Sequence, residues 1–168
     1  MSERHYALSE KDTWQTPDWL IEGIQQYVNI DLDPCAGKHT SIGDENYRLE
    51  DGKDGLELPW YGTTFVNPPF SHKKEWAAKV IDELDNTDLI MLVTPDSTDV
   101  QSWWHTCIVP FADYVWFSEG RIKYVDPDTQ ETAKSPTFGT AISMYGEVPD
   151  GLLQWFNEHG WVVEDAVP

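Results

Sequence analysis

The stretch Thr63-Thr64-Phe65-Val66-Asn67-Pro68-Pro69-Phe70 constrains the fold more than any other part of the chain. Its β-branched and aromatic start reads as a short strand. The two prolines stop that strand at one place, because neither has an N–H to give a ladder and each holds φ near −65°. The residues before them are pushed toward extended geometry. A strand that ends this abruptly leaves a stiff platform at its carboxyl end, and the rest of the chain has to be arranged around it.

The neighbouring segments supply that arrangement as alternating strands and helices. Thr16-Pro17-Asp18 has the form of a helix start, with Thr as N-cap and Pro at the first helical position, and Leu20, Ile24 and Tyr27/Val28 carry one apolar face to about residue 26. Residues 28–33 alternate and predict a first strand, and residues 38–53 predict mostly loop with a short strand near 47–49. After the platform, Ser71 is the expected cap of a helix whose buried stripe is Trp76, Val80 and Leu84, with Ala77 and Ile81 beside it. Residues 88–94 are nearly all apolar, as a central parallel strand requires. A helix over about 99–106 places Trp103 and Trp104 in the core rather than against a ligand, and a strand follows at 114–117. Residues 121–125 and 137–145 read as an antiparallel pair, and 150–159 as a last helix capped by Gly160. The fold class is α/β: a single Rossmann-like domain, mostly parallel, with a C-terminal antiparallel hairpin and a loose leader at 1–13.

The chemistry that suits the platform is that of an exocyclic amine on a flat ring. Such a nitrogen is a weak nucleophile, since its lone pair is delocalised. The Asn67 side-chain oxygen and the Pro68 backbone carbonyl can accept its two N–H hydrogens and favour a pyramidal nitrogen. Phe70 can stack on the ring, a contact worth roughly 1–3 kcal/mol per base. The first strand runs into Pro34-Cys35-Ala36-Gly37, small residues that let a ligand approach the backbone, at the sheet edge where open α/β folds bind ligands. Asp33 either holds such a ligand or merely ends its strand.

Asn67-Pro68-Pro69-Phe70 resembles the catalytic motif of amino-methyltransferases that use S-adenosylmethionine. With Trp14-Gln15-Thr16-Pro17, Leu32-Asp33-Pro34-Cys35-Ala36-Gly37 and Asp54-Gly55-Leu56, the chain resembles the phage-type DNA adenine-N6 methyltransferases over most of its length. The resemblance implies a class I methyltransferase fold, S-adenosylmethionine as cofactor and adenine in DNA as substrate. It implies that Asn67, Pro68, Pro69 and Phe70 form the catalytic platform. Trp14, Thr16 and Pro17 are expected beside the cofactor's methionine end, with helix cap and core tryptophan as the competing reading. Asp33, Cys35, Ala36, Gly37 and Asn67 are expected to hold the cofactor, and Asp54 to accept from its adenine, although Asp-Gly also makes turns. The ribose-binding acid is Glu50 or Asp51. Gly120 to Lys123 and Ser135 to Gly139 are expected near the substrate mouth.

Composition adds one tension. The formal net charge over 168 residues is −19, which opposes a nucleic-acid partner at first sight. The 11 basic residues are clustered, however: Lys73, Lys74 and Lys79 follow the platform, and Arg121, Lys123 and Lys134 fall together. They predict a local DNA-binding rim, or else a solvated helix face. The acidity itself suits a high-salt cell, where carboxylates maintain solubility. Two cysteines and five scattered histidines predict neither a disulfide framework nor a metal, and no apolar run is long enough to span a bilayer, so a cytoplasmic protein is expected. Oligomeric state is left open. DNA specificity is expected to come from residues 38–53 and 126–135, or to be relaxed, and the resemblance suggests protection of viral DNA from restriction. Two rivals share parts of the pattern. Protein glutamine methyltransferases carry the same Asn-Pro-Pro-aromatic run but lack Trp-x-Thr-Pro. A non-enzymatic acidic DNA mimic would account for the charge and leave residues 67–70 unexplained.

Overall fold

The computed structural model describes residues 14–132 and 136–165; the leader at 1–13 and Lys134 lie outside the described residues. Seven strands form one sheet: β1 (Leu32–Asp33), β2 (Glu45–Asn46), β3 (Gly62–Val66), β4 (Thr87–Pro95), β5 (Tyr114–Ser118), β6 (Thr140–Gly146) and β7 (Gly160–Glu164). The helices are α1 (Asp18–Gln25), α2 (Lys73–Asp82) and α3 (Asp150–Glu158). The spatial order is β2-β1-β3-β4-β6-β5-β7. The first four strands pair in parallel, β6 runs antiparallel between β4 and β5, and β7 pairs antiparallel with β5 at the far edge.

The continuous apolar run of β4 has its physical basis in burial on both faces. Leu89, Met91 and Val93 point to one side, against Leu20 and Ile24 of α1 and Leu152 and Phe156 of α3. Ile90 and Leu92 point to the other, against Trp76, Ala77 and Val80 of α2. Trp103 and Trp104 are buried in this second layer, as expected. Trp116 crosses the first layer and donates its Nε1–H to the Phe156 carbonyl at 2.7 Å.

Several expected elements differ in detail. The first strand is only Leu32–Asp33; just before it, the Asp31 carboxylate accepts from the Thr63 backbone N–H at 2.8 Å and from the Asn29 amide at 3.0 Å. The sheet shifts register there, at Gly62 with φ 59°. In the 38–53 loop the strand is Glu45–Asn46, and Leu49–Asp51 is a tight turn instead. Helix α2 starts at Lys73, not after Ser71, because Phe70–His72 forms its own turn first. A wide π turn at Trp104–Ile108 replaces the helix at 99–106. Trp103 and Trp104 meet edge-on at 5.6 Å where this turn begins.

The antiparallel C-terminal strands are present, but 121–125 is not the partner of 137–145. Both edges of β6 are taken by β4 and β5, so 121–125 is left with single bridges from Val125 to Gln15 and Thr132. Gly160 does not cap α3; His159 does, and Gly160 opens β7. A Cβ there would lie 2.1 Å from the Phe117 carbonyl oxygen, so glycine is what lets β7 close on β5. No helix among the described residues is long and apolar enough to cross a membrane.

Candidate active site

The parallel strands end on one rim, and a cavity of about 310 Å³ opens there. Its walls come mainly from the stretch before α1, the turn after β1, the segment between β2 and β3 and the platform after β3, with Trp76 of α2 and Pro127 and Asp128 completing them. Its size falls in the usual range for small-molecule sites.

Asp33 is the electrostatic centre of this cavity. It is 3% exposed, and its Oδ1 accepts from the Cys35 backbone N–H at 3.0 Å. Burial pushes its carboxyl up to about 7, against the opposing pull of that N–H and of the Arg48 guanidinium. Burial also raises the Cys35 thiol, helped by the carboxylates of Asp33 and Asp54, which keeps it a neutral thiol. Arg48 is a structural clasp. It donates from Nε to the Gly37 carbonyl at 3.1 Å, and from its terminal nitrogen to the Thr40 carbonyl and to Ser41 Oγ. The loop after β1 is thereby stapled to the segment after β2.

Asp54 makes the turn that Asp-Gly predicts and also faces the cavity. One carboxylate oxygen accepts from the Leu56 N–H at 2.9 Å, making a turn, while the residue lines the cavity. Gly55 is required beside it, since a Cβ would lie 1.9 Å from the Pro34 carbonyl oxygen. Of the two candidate acids, Glu50 lines the cavity and Asp51 is not among its lining residues. Trp76 reaches the cavity from α2, with its indole Nε1 buried and without a hydrogen-bond partner.

Asn67 stands at the cavity edge with its amide orientation set from behind. Its Nδ2 donates to Thr16 Oγ1 at 2.9 Å and lies 3.4 Å from the Trp14 carbonyl. Thr16 is therefore not the helix cap; Pro17 precedes α1 without any side-chain cap, and the hydroxyl is committed to Asn67. Pro68 is buried beneath the platform, and Pro69 reaches the cavity. Phe70 is half-buried and meets Phe138 edge-on at 5.3 Å and Tyr124 edge-on at 5.9 Å. It does not line the cavity, and neither does Pro17.

The basic residues flank that aromatic cluster. Lys73 donates to the Phe70 carbonyl at 2.9 Å, and Lys74 beside it is exposed. Arg121 and Lys123 are exposed just before Tyr124, and Arg121 donates to the Pro136 carbonyl at 2.7 Å. Lys79 is not part of this rim; it is paired with Glu83 at 2.7 Å. Among the described residues, no group of three or more His, Cys, Asp or Glu is placed to hold a metal ion.

A family profile described as DNA N-6-adenine-methyltransferase (Dam) matches residues 3–152. The chain belongs to that family. As a Dam-family member it is a DNA adenine methyltransferase. It is 29% identical over 136 residues to the DNA N-6-adenine-methyltransferase of Haemophilus phage HP1, covering 78% of this chain and 76% of that protein. It is 20% identical over 162 residues to the protein of the same name from Escherichia phage T1, covering 86% of this chain and 66% of that one.

The fold thus brings together eight of the nine residues expected around a cofactor: Trp14, Thr16, Asp33, Cys35, Ala36, Gly37, Asp54 and Asn67. Sequence reasoning missed Arg48 and gave Trp76 only a core role. Arg48 carried one available signal, a cation within a polar loop beside the candidate ribose acids. Its three partners, 7–11 positions away, are visible only in the fold.

Proposed function

We propose that this Dam-family chain, acting as a single domain, transfers the methyl group of S-adenosylmethionine to the N6 amine of an adenine flipped out of DNA. The observation that carries this reading is the pairing of an oriented Asn67 amide with a buried carboxylate, Asp33, in one cavity. A carboxyl held near neutrality by burial lacks a full complement of partners, and a cationic ligand answers that need. Ala36, Gly37 and Gly55 leave the backbone open to close approach, and Glu50 and Asp54 offer acceptors for hydroxyl and amino groups. The residues present fit S-adenosylmethionine, with Asp33 facing its cationic half, Glu50 its ribose and Asp54 its adenine.

When bound, S-adenosylmethionine supplies an electrophilic methyl group. The protein's part is placement. The Asn67 Oδ1 and the Pro68 carbonyl accept the two amine hydrogens of the target base, drawing its lone pair out of the ring and toward the cavity. The amine proton leaves after attack, so no formal base is needed beforehand. Positioning of this kind is worth on the order of 7–11 kcal/mol. A base inside a duplex cannot reach such a platform, so it has to be extruded, and the half-buried rings of Phe70 and Phe138, backed by buried Tyr124, provide surfaces for it. Lys73, Lys74, Arg121 and Lys123 hold the backbone on either side. DNA specificity comes from the loops at 38–53 and 126–135, each of which also contributes residues to the cavity wall.

The test is transfer of labelled methyl groups to plasmid DNA lacking adenine methylation, followed by sequencing of the modified sites. Asn67→Ala is expected to lower kcat at least a hundredfold while the affinity for S-adenosylmethionine stays within about twofold. Label on cytosine or on protein rather than adenine would refute the assignment, as would equal loss of binding and rate in the variant.

A further inference from the structure

Asn67 can act in only one orientation of its amide, and the bond to Thr16 helps to hold it there. We propose that Thr16 is a positioning residue, which holds the Asn67 amide in the one orientation that presents its oxygen to the substrate amine. The inference rests on the reading of Asn67 just given and adds to it a role that cofactor contact would not supply.

An asparagine side chain has two nearly isosteric ends with opposite functions. With Oδ1 forward, Asn67 accepts a hydrogen from the amine. Turned about its last torsion, it presents an N–H₂ instead, donor against donor, and the platform repels what it should hold. The torsion itself has little preference, since terminal bonds of this type are broad and roughly two-fold. Something outside the side chain must choose.

Two groups make that choice here, both from the stretch before α1. The Trp14 backbone carbonyl, 3.4 Å from Nδ2, can only accept. The Thr16 hydroxyl oxygen, 2.9 Å from the same nitrogen, makes the shorter bond. Turning the amide would set its oxygen against the Trp14 carbonyl, which has no hydrogen to give. The Thr16 hydroxyl can donate or accept, so the carbonyl sets the sense and the shorter bond to Thr16 holds the amide in place. Thr16 is well placed to act as a fixed point. It is only 5% exposed, and the residue before it is anchored on both sides. The Gln15 N–H donates to the Val125 carbonyl at 2.8 Å, and the Val125 N–H donates back to the Gln15 carbonyl at 2.9 Å. The Gln130 side chain adds a bond to Gln15 Oε1 at 3.0 Å. The catalytic amide is therefore braced through Thr16 by the same loop that carries Arg121, Lys123 and Tyr124. The substrate-side loop and the platform share one hydrogen-bonded strap.

The experiment uses the full chain and three readouts. In the wild-type protein, the Asn67 side-chain N–H₂ resonances, assigned by their loss in Asn67→Ala, should show one hydrogen protected from exchange with water. Thr16→Val replaces the hydroxyl with a methyl of similar size. It should abolish that protection and lower kcat about tenfold, the equivalent of one hydrogen bond, or about 1.4 kcal/mol. The dissociation constant for S-adenosylmethionine, measured by calorimetry without DNA, should stay within about twofold. Thr16→Ser keeps the oxygen and should restore both rate and protection. An unprotected Asn67 amide in the wild type overturns the proposal without reference to any variant. So does a Thr16→Val rate within twofold of wild type, or a parallel loss of rate and cofactor affinity, which would make Thr16 a cofactor contact. A wild-type protein that shows the protected amide but methylates no DNA would support the bond and refute the reaction.

Discussion

Replacing Asp33 with Asn should make the ligand-free protein more stable at pH 8 and make it a poorer binder of S-adenosylmethionine. The reasoning starts from burial. The Asp33 carboxyl titrates at about 7 in the folded chain, against an ordinary 3.8, chiefly because ionising it in the interior costs solvation. A group whose folded value is raised favours the folded state most at low pH. Below pH 3.8 it is protonated in both states and costs nothing; from there to about pH 7 each unit erodes stability; above that the penalty is complete. At 1.36 kcal/mol per unit, the full penalty is on the order of 4 kcal/mol. The substituted amide would keep an oxygen for the Cys35 N–H and carry no charge, so it should recover much of this, several degrees in Tm at roughly 2–4 °C per kcal/mol. Binding runs the other way. A cationic ligand prefers the ionised carboxylate, and at pH 6 about nine-tenths of the free protein has Asp33 protonated. Wild-type affinity should therefore fall about tenfold from pH 8 to pH 6, with close to one proton released per ligand bound at pH 6. Asp33→Asn should bind weakly and lack this component; subtracting its profile removes the ligand's own titration. The assays are thermal melts across pH without ligand, and calorimetry at pH 6 in two buffers of different ionisation enthalpy. An Asp33→Asn protein no more stable than wild type at pH 8, together with a flat wild-type affinity profile, would refute the argument.

Lys79→Met should destabilise the fold by about 3 kcal/mol, because Glu83 would be left buried with only the Asn86 amide and the Trp60 N–H for partners. Burial alone would raise the Glu83 carboxyl, but those bonds and the Lys79 ammonium hold it below the usual range, so its contribution is present above the unfolded value of 4.5 and is lost as pH falls through the depressed one. Urea melts of the two proteins should therefore differ at pH 7 and converge in acid, and a constant gap would count against the pairing. Lys74→Ala and Lys123→Ala should each weaken DNA binding and reduce the slope of log affinity against log salt by about one, leaving cofactor affinity unchanged. An unaltered slope would remove that lysine from the DNA-facing rim.

What could be read from the sequence was whatever local physics decides alone. The β-branched run into Pro68 and Pro69 could end a strand in only one way, and β3 stops at Val66. The apolar stretch at 88–94 had to be covered on both faces, and β4 is. Asp33 fell at a strand end beside small residues and does face a cavity. The misreadings arose where a local preference met a distant partner. Thr16-Pro17-Asp18 is a sound helix-start signature, yet the Thr16 hydroxyl bonds an amide 51 positions away. Residues 121–125 looked like half of a hairpin, but β6 had already been claimed by β4 and β5. Gly160 read as a cap because glycine directly follows the helix, whereas it is needed where β7 closes on β5.

The acidity of the chain follows the same division between local and global. A net charge of −19 describes the whole molecule, whereas a DNA backbone would meet only the rim around Phe70. There Asp33 is buried in the cavity, while Asp96, against Gly139, and Asp128, at the cavity wall, are exposed. Lys74, Arg121 and Lys123 remain exposed on the outside of the same edge. At physiological ionic strength exposed charges are screened beyond about 8 Å, so acidic groups on the far faces hardly weaken a phosphate contact at this rim. At lower salt, where screening is weaker, they do slow the approach, because long-range repulsion acts on encounter before contact. Added salt should therefore raise the association rate for DNA while it weakens the bound complex. Two opposite trends in one titration, read by stopped-flow, would separate the body of the protein from its rim, and a rate that falls with salt would show the rim governing both.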